Sequence, residues 1–254
     1  MIDQQTLLDE VIHIARQAGD VIMNIYATDF TVRGKDDSSP VTEADEKAEA
    51  VILAALRQLT PDIPIVAEEA AAAGEIVEPG DVFWLVDPLD GTKEFINKNG
   101  EFTVNIALIR NAAPALGVVY APAIERLFAG VVGQGAFVEE GAERRNISVR
   151  QVPEAGFTVV ASRSHGDPEA LKAFMGGKPV AELRNAGSSL KICLVAAGEA
   201  DLYPRLGRTM EWDIAAGHAV ASAAGGRLTT LDGVEMGYGK PIFENPHFVV
   251  WGAG

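Results

Sequence analysis

Asp87 and Asp90 stand three positions apart in the run Phe83–Phe95, FWLVDPLDGTKEF, where an apolar stretch gives way to Asp87-Pro88-Leu89-Asp90-Gly91-Thr92. Pro88 restricts the backbone between the two acids. A turn there aims both carboxylates at one point, with the Leu89 carbonyl between them. Oxygen donors of this kind suit a hard cation such as Mg²⁺. An ordinary β-turn uses Asp, Pro and Gly just as readily, so the segment alone leaves both readings open. Other acids bear on the choice. Glu68 and Glu69 close the run Pro64-Ile65-Val66-Ala67, where a solvated strand edge is the plain alternative. Asp213 follows Trp212 at the start of an apolar helical pattern, where the helix dipole by itself favours an acid. Asp45 stands three residues after Thr42, a capping-box spacing, and a capping acid can also serve in chemistry.

Competing chemistries fail on inspection. There is no Walker A loop, and Gly130-Val131-Val132-Gly133-Gln134-Gly135 lies between β-like runs, not between a strand and a helix. Cys193 is followed six positions later by Glu199, not by the Arg of a thiol-phosphatase loop. The Asp-x-Asp-Gly-Thr nucleophile pattern is off by one residue. Ser188-Ser189-Leu190-Lys191 fits Ser-x-x-Lys but lacks its Ser-Asp-Asn and Lys-Thr-Gly partners. No two of the four histidines pair at metal-ligand spacing.

The elements that must hold these acids are legible from periodicity. Apolar residues from Leu7 to Ile25 mark one long amphipathic helix over 3–26, and Ala44 to Leu59 a second over 43–59. Residues 31–41 read as a turn-rich loop or weak hairpin. Strands are expected at Pro64–Ala67 and Val82–Val86, separated by a linker at Ala70–Gly80. Four β-rich runs near 102–110, 115–121, 126–132 and 136–139 read as an antiparallel meander. Polar Gly141–Val149 is the candidate boundary. Beyond it strands at Phe157–Ala161, Ala181–Asn185, Ala200–Tyr203 and Phe248–Trp251 alternate with helices at Pro168–Met175, Ser188–Ala197 and Trp212–Ala224. The chain therefore reads as α/β, with an α+β N-terminal domain over 1–146 and an α/β C-terminal domain over 147–254.

The whole chain sets outer limits. Its 254 residues are enough for one large domain or two small ones. The net charge of −15 argues against nucleic acid or anionic lipid as the main partner. It leaves room for a phosphate substrate, because a bound cation reverses the local sign. The single cysteine excludes an intramolecular disulfide. The acidic, polar start Met1-Ile2-Asp3-Gln4-Gln5 is unlike a signal peptide, and no run is long enough to span a bilayer. A cytoplasmic location is expected, with loose association with the inner face of the membrane left open. The oligomeric state is also open, a homodimer included.

Glu68-Glu69, the Asp87–Thr92 segment and Trp212-Asp213-Ile214-Ala215-Ala216-Gly217, in that order, resemble the inositol monophosphatase superfamily of magnesium-dependent, lithium-sensitive phosphatases. Lys93-Glu94-Phe95, Ser162-Arg163-Ser164-His165, Gly187–Ala196 and Leu202-Tyr203-Pro204-Arg205 are similar to its bacterial CysQ-type 3′(2′),5′-bisphosphate nucleotidase branch. The resemblance implies a layered α/β/α/β/α sandwich. It implies two or three Mg²⁺ ions: one on Glu68, Asp87 and the Leu89 carbonyl, a second on Asp87, Asp90 and Asp213. It further implies that Asp45 and Thr92 position and deprotonate the attacking water, and that Ser162, His165, Gly187 and Lys191 contact the nucleotide. The loop Lys35-Asp36-Asp37-Ser38-Ser39-Pro40 departs from the commoner variants and adds charge near the site.

On the residues themselves, the N–H groups of Gly91 and Thr92 suit phosphate oxygens. Lys191, Arg205 and Arg208 are candidates for a second phosphate, with Lys93 nearer the reacting group; plain surface charge is their alternative. The reaction that the resemblance implies removes the 3′-phosphate of adenosine 3′,5′-bisphosphate, or of its sulfated form. An inositol or sugar phosphatase of the same superfamily is the second reading. A non-catalytic cation-binding protein, which would not need Thr92 beside Asp45, is the third.

Overall fold

Asp3 begins the first helix by accepting the N–H groups of Gln5 and Thr6, two of the donors a helix start leaves open. The computed structural model describes residues 3–34, 40–75, 77–162 and 168–253. In chain order the elements are α1 (Gln4–Tyr26), the antiparallel pair β1 (Val32–Gly34) and β2 (Pro40–Thr42), α2 (Glu43–Leu59), β3 (Ile65–Ala67), α3 (Glu68–Ala72), β4 (Val82–Asp90) and α4 (Thr92–Ile96). A meander follows: β5 (Thr103–Arg110), β6 (Ala113–Ala121), β7 (Arg126–Val131), β8 (Gly135–Glu140) and β9 (Glu143–Ile147). The second half holds β10 (Phe157–Ser162), α5 (Pro168–Met175), β11 (Val180–Ala186), α6 (Leu190–Ala196), β12 (Leu202–Arg205), α7 (Glu211–Ala223), β13 (Arg227–Thr230) and β14 (Phe248–Trp251).

Strands β3 to β9 form one sheet in sequence order, antiparallel except where β3 runs parallel to β4. A five-stranded sheet has the order β11-β10-β12-β14-β13. Alternation along the first sheet divides its side chains between two cores. Trp84, Val86, Ile106 and Leu108 pack with Leu7, Val11 and Ile22 of α1 and Ile52 and Leu56 of α2. Phe83, Leu85, Ala107 and Ile109 face the other way, toward Ile192 of α6, Ala216 and Val220 of α7, and Tyr203 and Val250 of the second sheet. The far face of that sheet presents Val159, Leu202 and Val249 to Leu171, Phe174 and Met175 of α5. The layers are thus helix, sheet, helix, sheet, helix, as the resemblance implied.

Four local expectations change. Strand β4 does not end at Val86. It runs to Asp90, and the expected turn is a slip in the ladder: Asp87 pairs with Asn105 and Asp90 with Thr103. The Pro-containing segment therefore bulges within the sheet. Part of the expected linker is helical, because Glu68 and Glu69 open α3 instead of closing a strand. The candidate boundary contains β9, an edge strand with mostly exposed residues, so no apolar alternation marked it. Its Arg144 pairs with Glu139 of β8 across the ladder at 2.6 Å. Strand β13 is too short and too polar, Arg227-Leu228-Thr229-Thr230, to carry a period.

Candidate active site

The slip in β4 gathers three oxygen-bearing groups at the strand end. Leu89 buries its side chain in the α1–α2 core, while its N–H donates to Asp87 Oδ1 at 3.0 Å. Gly91 follows with φ 93°, in the left-handed region that glycine adopts without strain. A Cβ there would also press on the Glu101 carbonyl, the Glu94 carboxylate and Ser188, each at 3.3 Å. The chain then turns into α4. Phe95, fully buried, anchors this single turn against Tyr26, Phe30 and Phe102 at centroid distances of 5.1, 4.6 and 5.2 Å.

Thr92 opens α4 and points its hydroxyl at Asp45. Thr92 Oγ1 donates to Asp45 Oδ1 at 3.1 Å and approaches the Leu89 carbonyl at 3.4 Å. The other oxygen of Asp45 accepts Thr42 N–H at 2.8 Å and Thr42 Oγ1 at 2.7 Å. Asp45 thus caps α2 with one oxygen and reaches the site with the other. It does so from behind Thr92, buried and off the cavity wall.

Glu68, the first residue of α3, arrives beside Asp87 because Ala67 pairs with Val86 across β3 and β4. Asp213 sits in the first turn of α7, its Oδ2 accepting Met210 N–H at 2.8 Å. Glu68, Asp87, Leu89, Asp90 and Asp213 line one cavity of about 280 Å³, with Gly91, Thr92 and Lys93 beside them. Ser162, Glu94, Lys191 and Arg205 line the same cavity.

The acids and cations of the cavity act on one another. Burial holds the Asp87 carboxyl well above the usual range; Glu68, Asp90 and Asp213 push it further, and Glu68 also shares a hydrogen bond with it. Asp213 is raised by burial first and then by Asp90 and Glu68. Asp90 is pushed up to about 6 by burial, against the pull of Lys191, and accepts the N–H of Ser189. Burial likewise raises Asp45. Lys191 is buried and lowered to about 8 by that burial, with Asp90 resisting the shift. Its Nζ donates to the Ser188 carbonyl at 2.6 Å. Arg205 Nε is buried with no partner among the described residues, and Nη2 donates to the Arg208 carbonyl at 3.2 Å.

Among the described residues no three acids or imidazoles are grouped as a ready-made ligand set. The carboxylates of Glu68, Asp87, Asp90 and Asp213 line the cavity. They fit a hard divalent cation nonetheless. The donors are all oxygen, and neighbouring acids raise the pKa of Asp87 and Asp213, so added positive charge favours their ionised forms.

The predicted residues sort as follows. Asp45, Thr92, Glu68, Asp87, Leu89, Asp90, Asp213, Gly91, Lys93, Ser162, Lys191 and Arg205 come together in or directly behind the cavity. Gly187 does not line it. Its N–H donates to Glu101 Oε2 at 2.8 Å, and a Cβ would meet the Glu101 carbonyl at 2.7 Å, so it sets the corner before Ser188. Lys191 is a buried cation, not surface charge. Arg208 pairs with Glu244 at 3.1 Å and does not line the cavity. His165 and the loop 35–39 lie outside the described residues.

Missed were Ser188, Ser189, Tyr203 and Thr209, all on the cavity wall. Ser188 holds φ 44°, uncommon for a residue with a Cβ and a mark of functional sites. Ser189 Oγ lies 2.9 Å from Thr103 Oγ1 and 2.7 Å from Asn105 Oδ1. It ties α6 to the strand opposite Asp87 and Asp90. Ser188, Ser189 and Tyr203 lie inside the segments Gly187–Ala196 and Leu202–Arg205 that carried the resemblance, but nothing in the sequence singled them out as cavity residues.

The sequence model of the inositol monophosphatase family matches residues 3–249. The chain is 49% identical over 247 residues to the 3′(2′),5′-bisphosphate nucleotidase CysQ of Escherichia coli O157:H7, covering 96% of this chain and 99% of that one. It is 36% identical to the protein of the same name from Aggregatibacter actinomycetemcomitans, covering 96% and 92%. Among solved structures, CysQ from Bacteroides thetaiotaomicron superposes with TM-score 0.82 at 39% identity over 98% of both chains. Inositol monophosphatase from Anabaena superposes with TM-score 0.76 at 28% identity, over 99% and 92%.

Proposed function

The chain belongs to the inositol monophosphatase family, and from that premise we propose that it is a Mg²⁺-dependent 3′(2′),5′-bisphosphate nucleotidase. It removes the 3′-phosphate of adenosine 3′,5′-bisphosphate to give AMP and phosphate, and its site admits the sulfated form of the same nucleotide. The observation that carries this reading is one cavity that holds acids and cations together. Glu68, Asp87, Asp90, Glu94 and Asp213 line it, and so do Lys191 and Arg205. A monophosphate with a neutral alcohol needs only the acids and the metal they hold. A second phosphate needs the cations.

Glu68, Asp87 and the Leu89 carbonyl would hold one Mg²⁺, and Asp87, Asp90 and Asp213 another. When bound, magnesium supplies charge to the phosphoryl oxygens and lowers the pKa of water. The chain's own residues do the rest. Gly91 and Thr92 offer backbone N–H groups to the phosphoryl oxygens. Thr92 Oγ orients the attacking water and takes its proton as its own passes to Asp45, along the 3.1 Å hydrogen bond. Burial raises the proton affinity of Asp45, which suits an acceptor. Lys191 and Arg205 bind the phosphate that stays on the nucleotide, with Ser162 beside them.

Lys191 gives the direct test. Lys191→Ala raises KM for adenosine 3′,5′-bisphosphate by about 10-fold or more, the loss of one charge-assisted contact. KM for a monophosphate such as inositol 1-phosphate changes little. Equal losses on both substrates would contradict the assignment of Lys191 to the second phosphate.

A further inference from the structure

Glu49 is a buried carboxylate with no place in the site described so far. It lies in α2 at 5% exposure and does not line the cavity. Its two oxygens reach across to α3: Oε2 accepts Glu69 N–H at 2.8 Å and Oε1 accepts Ala70 N–H at 2.9 Å. A buried charge is costly unless answered, and hydrogen bonds to ionised acceptors are the stronger kind. The recipient needs the contact. Helix α3 has only five residues, buries none of them fully, and receives no side-chain cap from Ala67. A helix that short does not hold itself together. The two amides that Glu49 grips immediately follow Glu68. On the other side, Ala67 is fixed by its pairing with Val86. The orientation of Glu68 is therefore set by the sheet before it and by Glu49 after it.

We propose that Glu49 is a positioning residue for the reaction. It holds the first turn of α3 so that the Glu68 carboxylate faces Asp87, and Mg²⁺ affinity depends on that aim. The inference rests on the assignment of Glu68 to Mg²⁺ made above.

The test is a double-mutant cycle between Glu49→Gln and Glu68→Gln in the full-length protein. Mg²⁺ binding is read by calorimetry and by the Mg²⁺-induced shift in Tm, alongside activity. Glu49→Gln weakens Mg²⁺ binding about 10-fold, the usual scale for a residue that orients a ligand. At saturating Mg²⁺, KM for the nucleotide stays within about twofold. Amide exchange at Glu69 and Ala70 accelerates. The double variant binds Mg²⁺ no more weakly than Glu68→Gln alone, because Glu49 acts only through Glu68.

Glu49→Asp, one methylene too short to reach both amides, repeats the result and replaces Glu49→Gln if that variant does not fold. Additive losses in the double variant would overturn the proposal. So would faster exchange at unchanged Mg²⁺ affinity, which would make the contact purely a fold contact. Failure of both Glu49 variants to fold in saturating Mg²⁺ would overturn it equally. A wild-type protein that binds no Mg²⁺ would overturn the metal assignment itself, a separate and recognisable outcome.

Discussion

Asp45 shows how one side chain can serve the fold and the reaction together. One oxygen closes the capping box with Thr42, and the other meets Thr92. The cap fixes the carboxylate, so the Thr92 hydroxyl meets an acceptor held at one position. Thr92→Val keeps the shape and removes the hydroxyl. It lowers kcat by about 10²-fold or more, the lower end for loss of a proton-transfer group. The Mg²⁺-induced rise in Tm persists, because Thr92 supplies no metal-binding carboxylate. Steady-state kinetics and thermal melts check this, and an unchanged kcat would remove Thr92 from the chemistry. Asp45 was legible in the sequence because capping has a spacing rule. The acids at 68, 87, 90 and 213 were legible as blocks in a fixed order. Glu49 was not, since a glutamate on an amphipathic helix reads as a solvated face until its partners, 20 and 21 residues away, are known. Ser188 was hidden for another reason: a positive φ at a residue with a Cβ leaves no mark in the sequence.

Helix α4 illustrates how a short element is held by its neighbours. Its single turn carries Thr92 and Lys93, and its one fully buried side chain is Phe95. Phe95→Ala empties a site ringed by Tyr26, Phe30 and Phe102 and costs about 3–5 kcal/mol. Denaturant unfolding measures that loss, and a cost under about 1 kcal/mol would show that the aromatic cluster does not hold the turn. The corner at Gly187 is held by contact instead. A methyl group there meets the Glu101 carbonyl at 2.7 Å, so Gly187→Ala shifts Ser188 and Lys191 and raises KM for the bisphosphate. The long helices were read correctly from period alone, since α1 and α2 each bury a continuous stripe. Elements that owe their shape to distant partners were not. Strand β4 continues through Pro88 because β5 pairs on both sides of the slip. Helix α3 forms where Glu49 caps it, and β9 forms by adding to a sheet edge.

Net charge, buried acids and one buried imidazole set how the folded protein responds to its medium. In a chain of net charge −15, burial and neighbouring acids hold the Asp87, Asp90 and Asp213 carboxyls above their usual range at one cavity. Carboxyl groups with folded pKa values above the unfolded ones favour folding less as pH rises past about 4. A divalent cation offsets that loss. Saturating Mg²⁺ stabilises the protein by about 3–4 kcal/mol at 100 to 1,000 times its Kd, read as a higher Tm than in chelator. The gain is larger near pH 8 than near pH 5, because deprotonated ligands bind the ion. A Tm indifferent to Mg²⁺ would speak against the cavity acids as a cation site. His218 acts at the acid end. It is buried against Tyr238, and burial lowers it to about 4. An unfolded histidine titrates near 6.5, so below that pH the unfolded chain takes up a proton that the folded one refuses. Stability from this group is complete above pH ~6.5 and is lost as pH falls toward 4, by about 3 kcal/mol in all. His218→Gln flattens that part of the stability–pH curve, and an unchanged slope would contradict the burial argument. The central claim, a site built for a bisphosphorylated nucleotide, is tested most directly by phosphate release. Adenosine 3′,5′-bisphosphate, inositol 1-phosphate and fructose 1,6-bisphosphate are assayed side by side, each with Mg²⁺ and with chelator. The account predicts fast, Mg²⁺-dependent release from the nucleotide and slow release from the other two. Preference for inositol 1-phosphate or fructose 1,6-bisphosphate would contradict it.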